Sequence, residues 1–212
     1  MSDQPSKVRT HLAWVAPIVE TWATVAQPKY AVSYTEYLSL EAGSQQKHEY
    51  LRGEVWAMAG GTAAHALIAT NFTGVLRNAL QGKPCAPYNS DLRIRISETD
   101  RTTYPDAVVV CGKREMAADD PNALTNPTVI VEVLSESTEA SDRGEKFAHY
   151  RQLNSLKEYV LVSQHLRQVE VFRRGDNDGW SIEPARIAGE RVELTSLGVS
   201  FAVDELYVDP NA

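Results

Sequence analysis

Two short apolar runs each carry one carboxylate: Tyr104-Pro105-Asp106-Ala107-Val108-Val109-Val110 and Thr128-Val129-Ile130-Val131-Glu132-Val133-Leu134. Both read as buried strands, rich in β-branched residues and bounded by turn formers. An isolated ionised carboxylate in such a place costs several kcal/mol, about as much as a fold can spare, unless something pairs with it. If the two strands lie side by side, the carboxylates come within about 5 Å and repel by roughly 3 kcal/mol at an effective dielectric of 20. A divalent cation removes that penalty. Hard oxygen ligands of this type select Mg²⁺ or Mn²⁺, with the Val133 carbonyl as a natural additional ligand. Mg²⁺ keeps several waters, and one of them is a suitable nucleophile for phosphodiester hydrolysis.

Such a centre also needs a cation to orient the water or to stabilise the transition state. The residue two places after Glu132 is Leu134, so the strand itself supplies none, but Lys146 follows on the next helical stretch after Asp142-Arg143-Gly144-Glu145. A helix returning over the strand end would aim Lys146 at Glu132. The same spacing also describes a plain Asp142–Lys146 pair at i,i+4, worth a few tenths of a kcal/mol.

The elements that must position these groups follow from periodicity. Ser33 or Thr35 caps a helix with Glu36 near its positive end. Lys47 to Met58 reads as a helix end running into a hairpin that turns at Arg52-Gly53. Thr62, Ala66, Leu67, Ala69, Phe72, Val75, Leu76 and Leu80 mark a long amphipathic helix ending near Gly82-Lys83-Pro84. Strands are expected around Cys85 to Tyr88, Leu92 to Ile96, Ala107 to Val110 and Val129 to Leu134. A helix carrying Phe147, Tyr150 and Leu153 comes next, followed by strands at Glu158–Val162, Gln168–Phe172 and Trp180–Glu183. Leu197 to Val208 closes the chain. Helix, strands, helix, strands is the order of an α/β chain, α+β in its mixed form, with a mixed central sheet flanked by helices. Residues 1–30 read as an N-terminal extension, with Leu12, Val15, Ile18, Val19 and Trp22 at helical spacing, and residues 31–212 as the domain proper.

Composition narrows the functional classes. The formal net charge of −7 argues against a nonspecific electrostatic grip on nucleic acid. The clusters Arg93, Arg95 and Arg101, Arg143 with Lys146, and Arg167 with Arg173 and Arg174 are either local phosphate patches or solvated faces. Cys85 and Cys111 are too few and too far apart for a disulfide framework or a zinc ribbon, and each reads as a reduced, partly buried thiol. No apolar run reaches membrane-spanning length and no signal-peptide h-region is present, so a cytoplasmic protein is expected. The four tryptophans, Trp14, Trp22, Trp56 and Trp180, are scattered and form no stacking platform. His48, His149 and His165 read as surface groups, and Asp91 as a turn former.

Pro105-Asp106, the acid of Val131-Glu132-Val133 and a nearby basic residue together resemble the PD-(D/E)XK nuclease superfamily. Within it the chain resembles the Uma-type putative restriction endonuclease family. The matching stretches, in order, are Tyr34–Leu38, Lys47–Glu54, Met58–Thr62 with His65, Asn89–Arg93, Tyr104–Asp106, Val131–Ser135 with Ser137-Thr138, Asp142–Lys146 and Glu158–Val162. The resemblance covers roughly residues 33 to 207. It implies a restriction-endonuclease-like core and a divalent metal held by Asp106 and Glu132, with Lys146 as a basic residue migrated to the helix. It further implies Glu49, at the helix-to-strand junction, as an additional acid. His65 is either a group beside the metal or phosphate, or a structural histidine. Ser135, with Ser137 and Thr138, contacts phosphate or caps the following helix, and Arg143 is a further substrate-binding candidate. DNA is the expected substrate, and a homodimer would suit cleavage of both strands of a duplex. The rival reading is a catalytically inactive nucleic-acid-binding or interaction module on the same fold, with a metal hydrolase acting on RNA or a small phosphoester as a third.

Overall fold

The computed structural model describes residues 31–211, so the expected helix around Leu12 to Trp22 lies outside the described residues. The chain begins with α1 (Tyr34–Gly43), capped by Ser33 and Glu36 in a reciprocal capping box. A hairpin of β1 (His48–Leu51) and β2 (Glu54–Ala57) follows. It turns on Arg52 and Gly53, both with positive φ, as a two-residue hairpin loop requires. A Cβ on Gly53 would also come within 2.7 Å of the Ala31 Cβ. Thr62 accepts from the His65 N–H and caps the long α2 (Ala63–Ala79).

Seven strands come next: β3 (Cys85–Asn89), β4 (Arg93–Ile96), β5 (Arg101–Thr103), β6 (Ala107–Cys111), β7 (Met116–Ala117), β8 (Asp120–Leu124) and β9 (Val129–Leu134). The helical segment after β9 has three parts: α3 (Glu139–Ser141), a π-helical turn (Asp142–Lys146) and α4 (Phe147–Tyr150). The remaining strands are β10 (Glu158–Ser163), β11 (Gln168–Arg174), β12 (Trp180–Ile182), β13 (Arg186–Ile187), β14 (Arg191–Leu194) and β15 (Val199–Ala202), before a closing 3₁₀ turn at Val203–Tyr207.

The larger sheet runs β12-β11-β10-β9-β6-β3, with β13 beside β11, and is mixed: β9 and β10 are parallel, the other pairs antiparallel. A second sheet runs β2-β1-β5-β4-β8-β7. The period-2 alternation of β9 divides the core. Val129, Val131 and Val133 pack with α2 and the β14–β15 hairpin, while Ile130 and Leu134 pack with Tyr150, Tyr159 and the second sheet's Ile94 and Ile96. Glu132 falls on the second face, between two apolar layers.

Several expectations are corrected. No helix runs into the hairpin: α1 ends at Gly43, and Glu49 is the second residue of β1 rather than a junction residue. Cys85 and Cys111 are joined as a disulfide, because antiparallel pairing of β3 with β6 makes residues 26 apart direct register partners. His48 and His149 are not surface groups, since both rings are largely buried, that of His48 3.0 Å from Glu41. The Arg93, Arg95 and Arg101 cluster is neither patch nor solvated face. Arg93 is bidentate to Asp120, Arg95 binds Asp100 over the Tyr34 ring, and Arg101 is buried against Glu49. No helix among the described residues is long and apolar enough to cross a membrane.

Candidate active site

The β6–β9 register pairs Ala107 with Val131, which sets Asp106, one residue before β6, opposite Glu132, where β6 has its start while β9 runs on beside β10. Opposed residues share a face, so the two carboxylates line one cleft of about 510 Å³ together with His65, Asp142, Lys146 and Ser135. Asp106 is anchored through Oδ2, which accepts from the Val133 N–H at 2.7 Å and lies 3.2 Å from His65 Nε2. Glu132 is anchored through Oε1, which accepts from Tyr150 at 2.7 Å and from Lys146 Nζ at 3.2 Å. All these contacts fall on one oxygen of each carboxylate. Among the described residues no hydrogen bond reaches Asp106 Oδ1 or Glu132 Oε2.

Lys146 is the cation shared by three acids. Its Nζ lies 3.2 Å from Glu132, 3.1 Å from Asp142 and 3.6 Å from Glu49. The plain i,i+4 pair with Asp142 and the reach to Glu132 thus coexist. The π-helical turn carries both residues; such widened turns are frequent at functional sites. Asp142 is 1% exposed, and its Oδ1 is within ion-pair range of Lys146 yet not aligned for a hydrogen bond. Leu134, where the superfamily signature has lysine, is buried in the apolar layer against Tyr150 and Tyr159. Lys146 enters the space beside Glu132 from the helical side instead.

The charge states follow from burial. Removal from water pushes Glu132 up to about 8; Lys146 opposes the rise, and Asp142 and Asp106 add to it. Burial acts to lower the Lys146 ammonium, but Glu132, Glu49 and Asp142 outweigh it and hold the group well above its ordinary value. The hydrogen bond to Asp106 raises His65 against the opposing effect of burial.

The remaining sequence candidates divide. Glu49 joins the centre through Lys146, and is itself held by Thr103 at 2.6 Å and Arg101 at 3.2 Å. Ser135 lies on the cleft, its hydroxyl 3.1 Å from Ser137 and 3.0 Å from Thr138. Val133 lines the same cleft. Arg143 does not line it; its guanidinium binds Glu139 at 2.8 Å and Glu170 at 2.9 and 2.7 Å. Sequence reasoning missed Tyr150 and Arg101 as neighbours of the charged cluster, and weighed Asp142 as a partner of Lys146 alone. Only Asp142 carried a signal, its i,i+4 spacing from Lys146.

The donor set can be tested against a divalent cation. Two hard carboxylates, one just before β6 and one within β9, each with one oxygen open, suit Mg²⁺ or Mn²⁺ that would complete its shell with a carbonyl and water. Among the described residues no three His, Cys, Asp or Glu side chains converge on one point, so side chains alone would not complete the shell of such an ion.

Comparison with known proteins places the chain in a family. The Uma2 model, described as "Putative restriction endonuclease", matches residues 34–204. An uncharacterized protein of Synechocystis sp. is 40% identical over 176 residues, 83% of this chain and 91% of its own length. A second uncharacterized protein from the same organism is 31% identical over 159 residues, 75% of this chain and 89% of its own length. The fold is shared with the crystal structure of a putative nuclease belonging to DUF820 from Anabaena variabilis, with TM-score 0.64 and 18% identity over 82% of this chain and 96% of that one. The chain belongs to the Uma2 family of putative restriction endonucleases.

Proposed function

We propose that the protein is a divalent-metal-dependent endonuclease that hydrolyses phosphodiester bonds in DNA. One observation carries this reading: Asp106, one residue before β6, stands across from Glu132 of β9, each has an oxygen that no hydrogen bond among the described residues reaches, and Lys146 lies 3.2 Å from Glu132. Asp106, Glu132 and the Val133 carbonyl would hold Mg²⁺ or Mn²⁺, which when bound supplies charge neutralisation and an acidified water. Tyr150 and Lys146 fix the rotamer of Glu132, and His65 and the Val133 N–H fix Asp106. Lys146 keeps a positive charge beside the reacting phosphate, held there by Glu49 and Asp142. Ser135, Ser137 and Thr138 offer hydroxyl donors to phosphate on the cleft wall.

Incubation of plasmid and linear DNA with Mg²⁺, Mn²⁺ or chelator, beside Asp106→Ala and Lys146→Ala, tests the proposal. Cleavage is expected only with metal and is lost in both variants. Activity that survives Asp106→Ala would overturn the metal assignment, and an RNA arm separates a ribonuclease. The engagement of most candidate arginines in internal ion pairs, beside a net charge of −7, favours a second reading, an inactive interaction module on the same fold. Its mark is wild-type protein that neither cleaves nor binds Mn²⁺.

A further inference from the structure

Trp56 carries none of the carboxylates or cations of the centre described above, yet the fold sets it beside that centre, with the Arg101 guanidinium 5.8 Å from its ring centroid. In the β1–β2 register Trp56 is the direct partner of Glu49, so the indole stands on the face from which Glu49 reaches Lys146. It is 37% exposed, unusual for tryptophan, and walls a cavity of about 490 Å³. Ser137, Thr138 and Lys146 line both this cavity and the catalytic cleft, so the two spaces adjoin across a shared wall.

The charges in the cavity select the occupant. Arg101 is engaged by Glu49 and Glu145, and Lys146 by three carboxylates, which leaves neither as a free cation for phosphate. Glu54 and Glu145, both exposed, add negative charge on the lining. A phosphate is repelled here. A neutral, planar group with amine donors is accepted: it stacks on the indole and donates to carboxylate or hydroxyl oxygens. A nucleobase has that chemistry, and the volume is in the range of small-ligand sites.

We infer that the Trp56 cavity takes an unpaired nucleobase next to the scissile phosphate, so that the substrate class is single-stranded, flapped or frayed nucleic acid rather than a continuous duplex. This rests on the endonuclease reading of the neighbouring cleft. A base inside a duplex is stacked on both sides and does not reach a wall pocket without being flipped out, whereas stacking on one exposed aromatic is sequence-tolerant and suits single strands.

The experiment measures binding of the wild-type protein to a labelled single-stranded oligodeoxynucleotide and to its duplex. Ca²⁺ replaces Mg²⁺ so that no cleavage occurs. Wild type should prefer the single strand, with quenching of tryptophan fluorescence. Trp56→Ala should weaken single-strand binding about tenfold or more, the scale of one lost base stack, and leave duplex binding unchanged. Trp56→Phe, which keeps an aromatic face and an equal thermal midpoint, should retain most of the affinity. Trp56→Ala binding single strands as wild type does, or losing the two forms equally, overturns this inference and leaves the endonuclease reading intact. Wild type that binds neither form overturns both.

Discussion

Glu132 and Glu158 are both buried carboxylates on neighbouring parallel strands, β9 and β10, yet they are treated in opposite ways. Glu158 is saturated. Its Oε1 accepts from Arg173 Nε at 2.9 Å and from the Thr195 N–H at 3.0 Å, while Oε2 accepts from the Ser196 N–H and hydroxyl. Glu132 shares Lys146 with two other acids and keeps an oxygen that no described residue bonds. A buried charge with every lone pair engaged ties the fold together, here pinning the β14–β15 hairpin to the main sheet. One with an oxygen left on a cleft keeps a lone pair for a ligand that binds there.

The largest expected effect on stability therefore lies at the saturated site. Glu158→Gln leaves Arg173 and two backbone donors without their ion and should cost about 3 kcal/mol, read by chemical denaturation, with Mn²⁺ binding unaltered. Glu132→Gln should cost less than about 1 kcal/mol, since Lys146 retains Asp142 and Glu49. It should abolish the rise in thermal midpoint that Mn²⁺ gives the wild type by binding the native state alone. If Glu158→Gln also lost the metal response, the separation of the two carboxylates would fail.

A pH titration sharpens the same contrast. Glu132 has a folded-state pKa raised to about 8, above its ordinary value in the unfolded chain. Between those two values the native state binds more protons, so the contribution of Glu132 to stability falls as pH rises through that window. Metal-free wild type should accordingly lose stability from about pH 5 to pH 8 relative to Glu132→Gln, whose curve is flatter. Saturating Mn²⁺ should remove the difference in slope, because the ionised form is then the bound one. An identical slope for the two metal-free proteins would break the argument.

The sequence marked Asp106 and Glu132 because a lone acid in an apolar run is an energetic anomaly. By that criterion Glu158, at the head of Glu158-Tyr159-Val160-Leu161-Val162, was just as anomalous. What separates them is which partners arrive through space, Arg173, Thr195 and Ser196 in one case and Lys146 and Tyr150 in the other, and no local pattern encodes that. The strands with apolar alternation and the helices capped by Ser33 and Thr62 were legible for local reasons. β5 was not, because Arg101-Thr102-Thr103 reads as polar surface and is buried only through its network with Glu49, Tyr34 and Glu145. The Cys85–Cys111 link was hidden for the same reason, since register between strands 26 residues apart is a tertiary fact. A loop of that length suggests about 3 kcal/mol of stabilisation. Reduction should lower the denaturation midpoint correspondingly, and no shift between oxidised and reduced protein would contradict that contribution.

Arg143 gives the smallest expected effect and the strictest test of the distinction. It stood with Lys146 in sequence as a candidate for substrate contact, but three of its nitrogens engage Glu139 and Glu170, which makes it a group of the Glu158 type. Its pairs are partly solvated, so Arg143→Ala should cost no more than about 1 kcal/mol. The cleavage rate at saturating metal should stay the same. Should the rate fall while the denaturation midpoint holds, Arg143 must leave its carboxylates to meet the substrate. Saturation by internal partners would then no longer mark a structural role, and Glu158 would need re-examination on the same terms.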